Sequence, residues 1–142
     1  MSNQITDIII DDGKQTYNIR NQEGQLLGSF RLNPADAGIL KRFDEVQEYL
    51  AHISDKVDAD RDIALVMEDM TALVKDQVNY LFDTNCADEF FQITSPWSVM
   101  KNGEFFLEHV INAVGNVIQA DIKARNKKID ARISKYTAKY HG

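Results

Sequence analysis

A run of apolar residues at helical spacing within residues 104–124 constrains this chain more than any other feature. Recurrence near 3.6 residues is typical of an amphipathic helix, whose apolar side has to be covered by other parts of the chain. We therefore expect a core built around this helix, which begins after the turn pair Asn102-Gly103. The apolar positions are Leu107, Ile111, Val114, Ile118 and Ile122, separated by 4, 3, 4 and 4 residues.

The first part of the chain contains three segments with the composition of β-strands, separated by turn residues. Residues 5–11 include three consecutive isoleucines, and β-branched side chains favour strands. Asp12-Gly13 is a hairpin turn signal, because glycine accepts the positive φ that such turns require. Strands at 16–20 and 25–32 follow. The pattern predicts a three-stranded antiparallel β-meander with one face that helices have to cover.

Residues 33–125 have the spacing and punctuation of helices. Asn33-Pro34-Ala35-Asp36 predicts a helix start, since Asn33 can cap free N–H groups and Pro34 suits the first helical position. The next helix is predicted to end near Phe82. At its start, helix capping by Asp58 or Asp60 is favoured over a calcium site, because the segment around these aspartates contains no glycine. The predicted inward positions of that helix are Ile63, Met67, Met70, Val74, Val78 and Leu81.

These patterns predict an α+β fold in which the meander precedes a bundle of three to four α-helices. Residues 1–125 are predicted to form a single α+β domain, with the meander in 1–32 and the helices in 33–125. Residues 126–142 are predicted to be a basic, tyrosine-rich C-terminal tail. A chain of 142 residues has the length of one domain.

Charge is divided unevenly along the chain. Residues 1–122 hold 9 Lys/Arg and 21 Asp/Glu, a net charge of -12, whereas residues 123–142 hold 7 Lys/Arg and 1 Asp, a net charge of +6. An acidic body repels phosphates, which disfavours nucleic acid as a partner. The basic tail can contact an anionic partner or fold back on its own acidic body, and the second interpretation is the simpler one.

Residue chemistry offers no argument for catalysis, a metal or a cofactor. His52, His109 and His141 are far apart, with no Glu or Cys at metal-ligand spacing. No phosphate-binding glycine loop or nucleophile elbow is present in the sequence. The single cysteine, Cys86, suits a reducing compartment, and no apolar run approaches the ~18 residues of a membrane span. We therefore expect a non-enzymatic, cytoplasmic protein with no membrane partner.

Several large apolar residues are candidates for a protein-binding surface. Methionine adapts to irregular apolar partners, and aromatic residues grouped around a proline such as Pro96 can line a groove. Packing in the core is the alternative for all of them, and it is the default. The candidates are Met67, Met70, Phe90, Phe91, Trp97, Phe105 and Phe106.

Two motifs carry a resemblance to a known family. One is Phe30-Arg31-Leu32-Asn33-Pro34-Ala35-Asp36 and the other is Arg132-Ile133-Ser134-Lys135-Tyr136-Thr137-Ala138-Lys139-Tyr140-His141. Together they resemble the F-x-x-N-P-x-D-like step and the R-I-x-K-Y-T-x-K-Y-H-like tail of phage tail assembly chaperones from Gram-positive siphophages and prophages. The order of elements is similar over most of the chain, but only these two motifs are specific.

The resemblance implies a function in the cytoplasm of an infected bacterium. Such chaperones bind the long, helical tape measure protein and help to recruit tail tube subunits. The charge division further suggests a homo-oligomer in which the tail of one copy contacts the acidic body of the next. The residues expected to make that contact are Arg132, Lys135, Tyr136, Lys139 and Tyr140.

Two other classes of protein compete with this interpretation. A virion structural protein, such as a tail completion protein, would use the tail to embed in a neighbouring ring subunit. A small acidic inhibitor of a host defence protein would mimic nucleic acid, although the carboxylates here are interspersed with Lys41, Arg42 and Lys75.

Overall fold

The computed structural model describes residues 3–58 and 60–141, without the side chains of Tyr136, Lys139, Tyr140 and His141. Two antiparallel strands come first, and four α-helices follow, so the predicted α+β class is confirmed for these residues. The strands are β1 (Gln15–Arg20) and β2 (Leu26–Leu32). The helices are α1 (Ile39–Ala51), α2 (Ile63–Phe82), α3 (Ala87–Phe91) and α4 (Phe106–His141), with a short 3-10 helix at Ile53–Lys56.

A turn built on Asn21 closes the β1–β2 hairpin. The Asn21 side-chain oxygen accepts hydrogen bonds from the backbone N–H groups of Glu23 and Gln25, each at 3.0 Å. Gly24 has a φ of 84°, a conformation that glycine adopts without a steric penalty. The register that results places Tyr17 opposite Phe30, and their rings stack with centroids 5.9 Å apart.

The predicted first strand is absent, so the three-stranded meander is wrong: the sheet of the described residues has two strands. Residues 5–11 belong to neither a strand nor a helix. The connecting residues are engaged elsewhere instead of forming a hairpin turn. The Asn33 side-chain amide donates to the Asp12 carbonyl oxygen at 3.5 Å, and an Arg31 nitrogen lies 3.9 Å from the Asp12 carboxylate.

Helix α1 begins at Ile39, later than the motif beginning at Asn33 predicted. The Asn33 side-chain oxygen accepts from the Ala35 N–H at 3.0 Å, and an Asp36 oxygen accepts from the Gly38 N–H at 2.9 Å. Such local side-chain hydrogen bonds compete with helix formation and stabilise turns instead. The motif therefore forms a turn that leads from the sheet to the helix.

The cap of α2 also differs from the prediction. Asp62, not Asp58 or Asp60, accepts a hydrogen bond from the Ala64 N–H, at 3.3 Å. Asp58 instead accepts from the Asp60 N–H within the preceding turn, at 3.1 Å. Ile63 and Met67 were predicted to face inward but are 74% and 36% exposed, because the first turns of α2 extend beyond the parts of the chain that cover its later turns.

The core forms where α2 packs against α1 and α3, and where α3 packs against β2 and the start of α4. The spacing of α2 correctly predicted Val74, Val78 and Leu81 as buried positions. The first half of α4 buries the face predicted from its periodicity, including Leu107, Val114 and Ile118. The other buried apolar residues include Leu32, Ile39, Val46, Ile53, Phe82, Cys86, Ala87, Phe90, Phe91, Phe106 and Val110.

Helix α4 is much longer than the predicted segment 104–124. It continues to His141 and crosses the predicted domain boundary at residue 125 without a break. The sequence contains no proline or glycine between Gly115 and Gly142, so nothing in its composition ends the helix earlier. None of the helices in the described ranges combines the length and the apolar character needed to cross a membrane.

Candidate protein-binding surfaces

Three of the predicted binding residues lie in the core. Phe90, Phe91 and Phe106 are 7%, 8% and 6% exposed. Phe90 packs on Phe30 with ring centroids 5.2 Å apart, and Phe91 packs on Phe106 at 6.1 Å. Their contribution is therefore to packing, and a partner has no access to them in this conformation.

The other predicted binding residues are partly or fully accessible, and some are close together. Phe105 is 42% exposed and lies edge-on to Trp97, with ring centroids 5.8 Å apart. The Trp97 indole N–H donates to the Thr71 hydroxyl at 3.0 Å, and Thr71 lies one helical turn after Met67, which is 36% exposed. Met70 is half-buried against the core. The structure thus brings Trp97 and Phe105 together beside the exposed side of α2.

The last part of α4 leaves the body of the protein. We name residues 122–141 the projecting segment, and every side chain described in it is exposed. At a rise of 1.5 Å per residue, 20 helical residues extend roughly 30 Å. Ile122, Ile129 and Ile133 are 36%, 53% and 58% exposed. They continue the helix face on which Ile118 is buried, since the steps of 4, 7 and 4 residues keep them on one side of an α-helix.

The composition of this region predicts a polar, basic tail and gives no indication of its apolar face. The signal was present, because Ile129 and Ile133 extend the spacing of Ile118 and Ile122. Of the predicted self-association residues, Arg132 and Lys135 are exposed on the projecting segment. The side chains of Tyr136, Lys139 and Tyr140 lie outside the described part of the structure, so that prediction stays a prediction.

A second exposed apolar segment lies at the other end of the chain. We name residues 3–10 the N-terminal arm. Its four isoleucines, Ile5, Ile8, Ile9 and Ile10, are 89%, 82%, 95% and 74% exposed. Isolated exposed apolar side chains are ordinary, but consecutive ones mark surfaces that other protein segments cover.

An apolar groove lies between the hairpin and α4. Its volume is about 210 Å³, and its walls include Tyr17 and Ile19 of β1 together with Val114 and Val117 of α4. Burial raises the pKa of Tyr17 above its ordinary value, and the nearby Asp121 carboxylate raises it further. We name this space the hairpin groove. It is shallow and apolar, and it suits side chains of another segment better than a small polar substrate.

The ionisable groups of the described ranges take part in hydrogen bonds and ion pairs at the surface. No cluster of three His, Cys, Asp or Glu residues able to hold a metal occurs in the described ranges. His52 lies 3.3 Å from a Glu48 oxygen and 3.7 Å from an Asp55 oxygen on the exposed side of its helix. The Tyr80 hydroxyl donates to the Glu45 carboxylate, which raises the pKa of Tyr80. None of these groups converges on a cleft.

Cys86 is buried, and burial raises the pKa of its thiol to about 12. Only the thiolate is nucleophilic, so we expect no alkylation of the folded protein by iodoacetamide at pH 8 and rapid alkylation in denaturing urea. A Lys127→Cys variant, which adds a thiol to the exposed projecting segment, should react in the folded state. Mass spectrometry after timed quenching gives both rates, and fast labelling of native Cys86 would contradict the expectation.

No family model matches the chain, and neither a curated protein nor a solved structure matches it.

Proposed function

We propose that this protein is a phage tail assembly chaperone that binds the tape measure protein through the projecting segment of α4. The observation that carries the proposal is the exposed isoleucine face of that segment. Ile129 and Ile133 present apolar surface on the end of α4, which no other described part of the chain covers. An amphipathic helix with a free apolar face is suited to pair with another helix.

The chemistry of the partner fits this surface. A tape measure protein is long and largely helical, and before the tail tube encloses it, its apolar stripes favour aggregation. The isoleucine face offers those stripes a complementary helix. The acidic body, with its net charge of -12 in residues 1–122, keeps the complex apart from other complexes by charge repulsion.

The two motifs of the resemblance have different positions in the fold. In the first, Phe30 packs between Tyr17 and Phe90, Pro34 is buried, and Asp36 binds Arg42. That motif therefore maintains the connection from the sheet to the helices. The second motif forms the end of the projecting segment, where the proposal places the partner.

Co-expression with the tape measure protein encoded beside this reading frame tests the proposal. The wild-type chain should keep that protein in the soluble fraction and co-purify with it. Ile129→Asp/Ile133→Asp should weaken binding ~100-fold, because removing two interfacial isoleucines costs about 3 kcal/mol. The matched control is Ala131→Asp/Ala138→Asp, which adds the same charge on the opposite side of the helix and should bind normally.

Three results would overturn the proposal. One is equal binding by the two double variants, provided that circular dichroism shows both to be as helical as the wild type. Another is the absence of a tape measure gene beside the reading frame. The third is recovery of this chain from purified phage particles at the copy number of a tail protein, which would favour the virion structural alternative.

A further inference from the structure

We propose that two copies of this chain exchange their N-terminal arms, each arm adding a third strand to the free edge of β1 in the other copy. The four isoleucines of the arm are exposed, and β1 pairs with β2 along one edge only in the described structure. No backbone hydrogen bond joins the other edge of β1 to the described residues of another element. A two-stranded sheet is marginal, and a third strand with an apolar face stabilises it.

The side chains of the arm and of β1 match in one antiparallel register. Pairing Ile8 with Ile19 places Ile10 opposite Tyr17 on the same face, because alternate residues of a strand share a face. That face of β1 borders the hairpin groove, to which Tyr17 and Ile19 contribute. The groove therefore lies beside the position that Ile8 and Ile10 would occupy.

On the opposite face of the paired strands, the same register brings opposite charges together. Asp7 would lie opposite Arg20, and both side chains are exposed. Opposite charges at directly opposed positions stabilise a strand pair, and like charges destabilise it. The remaining pair on this face is Ile9 with Asn18. The apolar match and the charge match thus occur together in one register.

The conformation of the residues between the arm and β1 favours pairing of the arm with a second copy over pairing within the same chain. Pairing within one chain would require a tight turn at Gly13-Lys14 in this register. The structure instead holds Asp12 and Gly13 against the end of β2: the Asp12 carbonyl accepts from the Asn33 amide, and a Cβ at Gly13 would lie 3.0 Å from the Asn33 oxygen. In that conformation the arm is open, and a reciprocal exchange of such arms generates a closed two-fold dimer.

The molar mass in solution distinguishes an arm-exchanged dimer from a monomer. Light scattering coupled to size-exclusion chromatography should give a dimer for the wild type at micromolar concentration. Ile8→Asp/Ile10→Asp should give a monomer, because its charges would enter the groove. Ile5→Asp/Ile9→Asp removes the same number of isoleucines and adds the same charge on the other face, and it should remain a dimer. A monomeric wild type, or the same mass for both variants, would overturn the proposal.

A disulfide distinguishes exchange between chains from pairing within one chain. An Asp7→Cys protein mixed with an Arg20→Cys protein should form a covalent heterodimer on mild oxidation, since opposed strand residues lie within disulfide reach. The double variant should run as a covalent dimer on a non-reducing gel. A covalently closed monomer would show that the arm pairs with its own β1 and would refute the exchange. Cys86 does not interfere, because it is fully buried.

Discussion

Replacing Asn79 with alanine is expected to lower the free energy of unfolding by about 3 kcal/mol. The Asn79 side-chain oxygen accepts hydrogen bonds from two backbone N–H groups, those of Cys86 at 2.9 Å and Ala87 at 2.8 Å. Both residues are 0% exposed. Alanine at position 79 would leave the buried Ala87 N–H without a partner and leave the Cys86 N–H with only the Thr84 carbonyl, 3.1 Å away. The orphaned donor costs about 1–3 kcal/mol and the hydrogen bond lost by Cys86 about 1 kcal/mol, which makes the loss large for one polar side chain.

Urea denaturation followed by circular dichroism measures this loss, and we expect a decrease in melting temperature of about 10 °C beside it. The control is Asn85→Ala, which removes the exposed partner of the Asn79 amide nitrogen, 3.3 Å away, and keeps both buried donors satisfied. It should change stability by no more than about 0.5 kcal/mol. Equal losses in the two variants would show that the buried donors are not the cause.

The contrast between Asn79 and its neighbours on α2 shows what local pattern can and cannot predict. Val74, Val78 and Leu81 were predicted to be buried because helical spacing alone places them on one face. The role of Asn79 depends on where the chain goes after the helix ends. Asp83 adopts a left-handed conformation, with φ 49°, and the reversal brings the N–H groups of Cys86 and Ala87 to the Asn79 side chain. The spacing of apolar residues along α2 gives no indication of that reversal.

The N-terminal prediction failed for a related reason. The composition of residues 5–11 is that of a strand, and the structure leaves them without a strand partner. The composition of a segment shows only that it can form a strand. The strand with which it pairs is determined by tertiary or quaternary contacts. Here the side chain of Asn33, 20 residues after Gly13, occupies the space beside the predicted turn.

Composition did not indicate which of the candidate binding residues are exposed. Aromatic composition identified both Phe105 and Phe106, but one is 42% exposed and the other 6% exposed. Phe105 forms a β-bridge with Val99, and Phe106 is the first residue of α4, so the difference depends on how the chain enters the helix. The apolar face of the projecting segment was within reach of the same periodicity that located the core, but the high charge of the segment obscured it.

Replacing Arg42 with methionine is expected to cost about 2 kcal/mol at pH 7. The half-buried Arg42 guanidinium donates to the Leu81 carbonyl at 3.1 Å and to the Asp36 carboxylate at 2.5 Å, so it joins the turn before α1 to the end of α2. Methionine preserves the apolar stem and removes both hydrogen bonds. Lys41→Met is the control, because the Lys41 side chain is 85% exposed and its ion pair with Glu45 spans 4.0 Å.

The cost of Arg42→Met should depend on pH in a direction fixed by Asp36. The hydrogen bond from Arg42 lowers the pKa of Asp36 below its ordinary value, and the hydrogen bond from the Gly38 N–H lowers it further. The folded state therefore binds this proton less readily than the unfolded state. The resulting stabilisation is complete above about pH 4 and disappears as the pH falls through the lowered pKa. The stability gap between wild type and variant, measured in urea at pH 7, 5 and 3, should be constant from pH 7 to 5 and narrower at pH 3. A gap that stays constant to pH 3 would mean that the carboxylate contributes little and that the Leu81 hydrogen bond accounts for the loss.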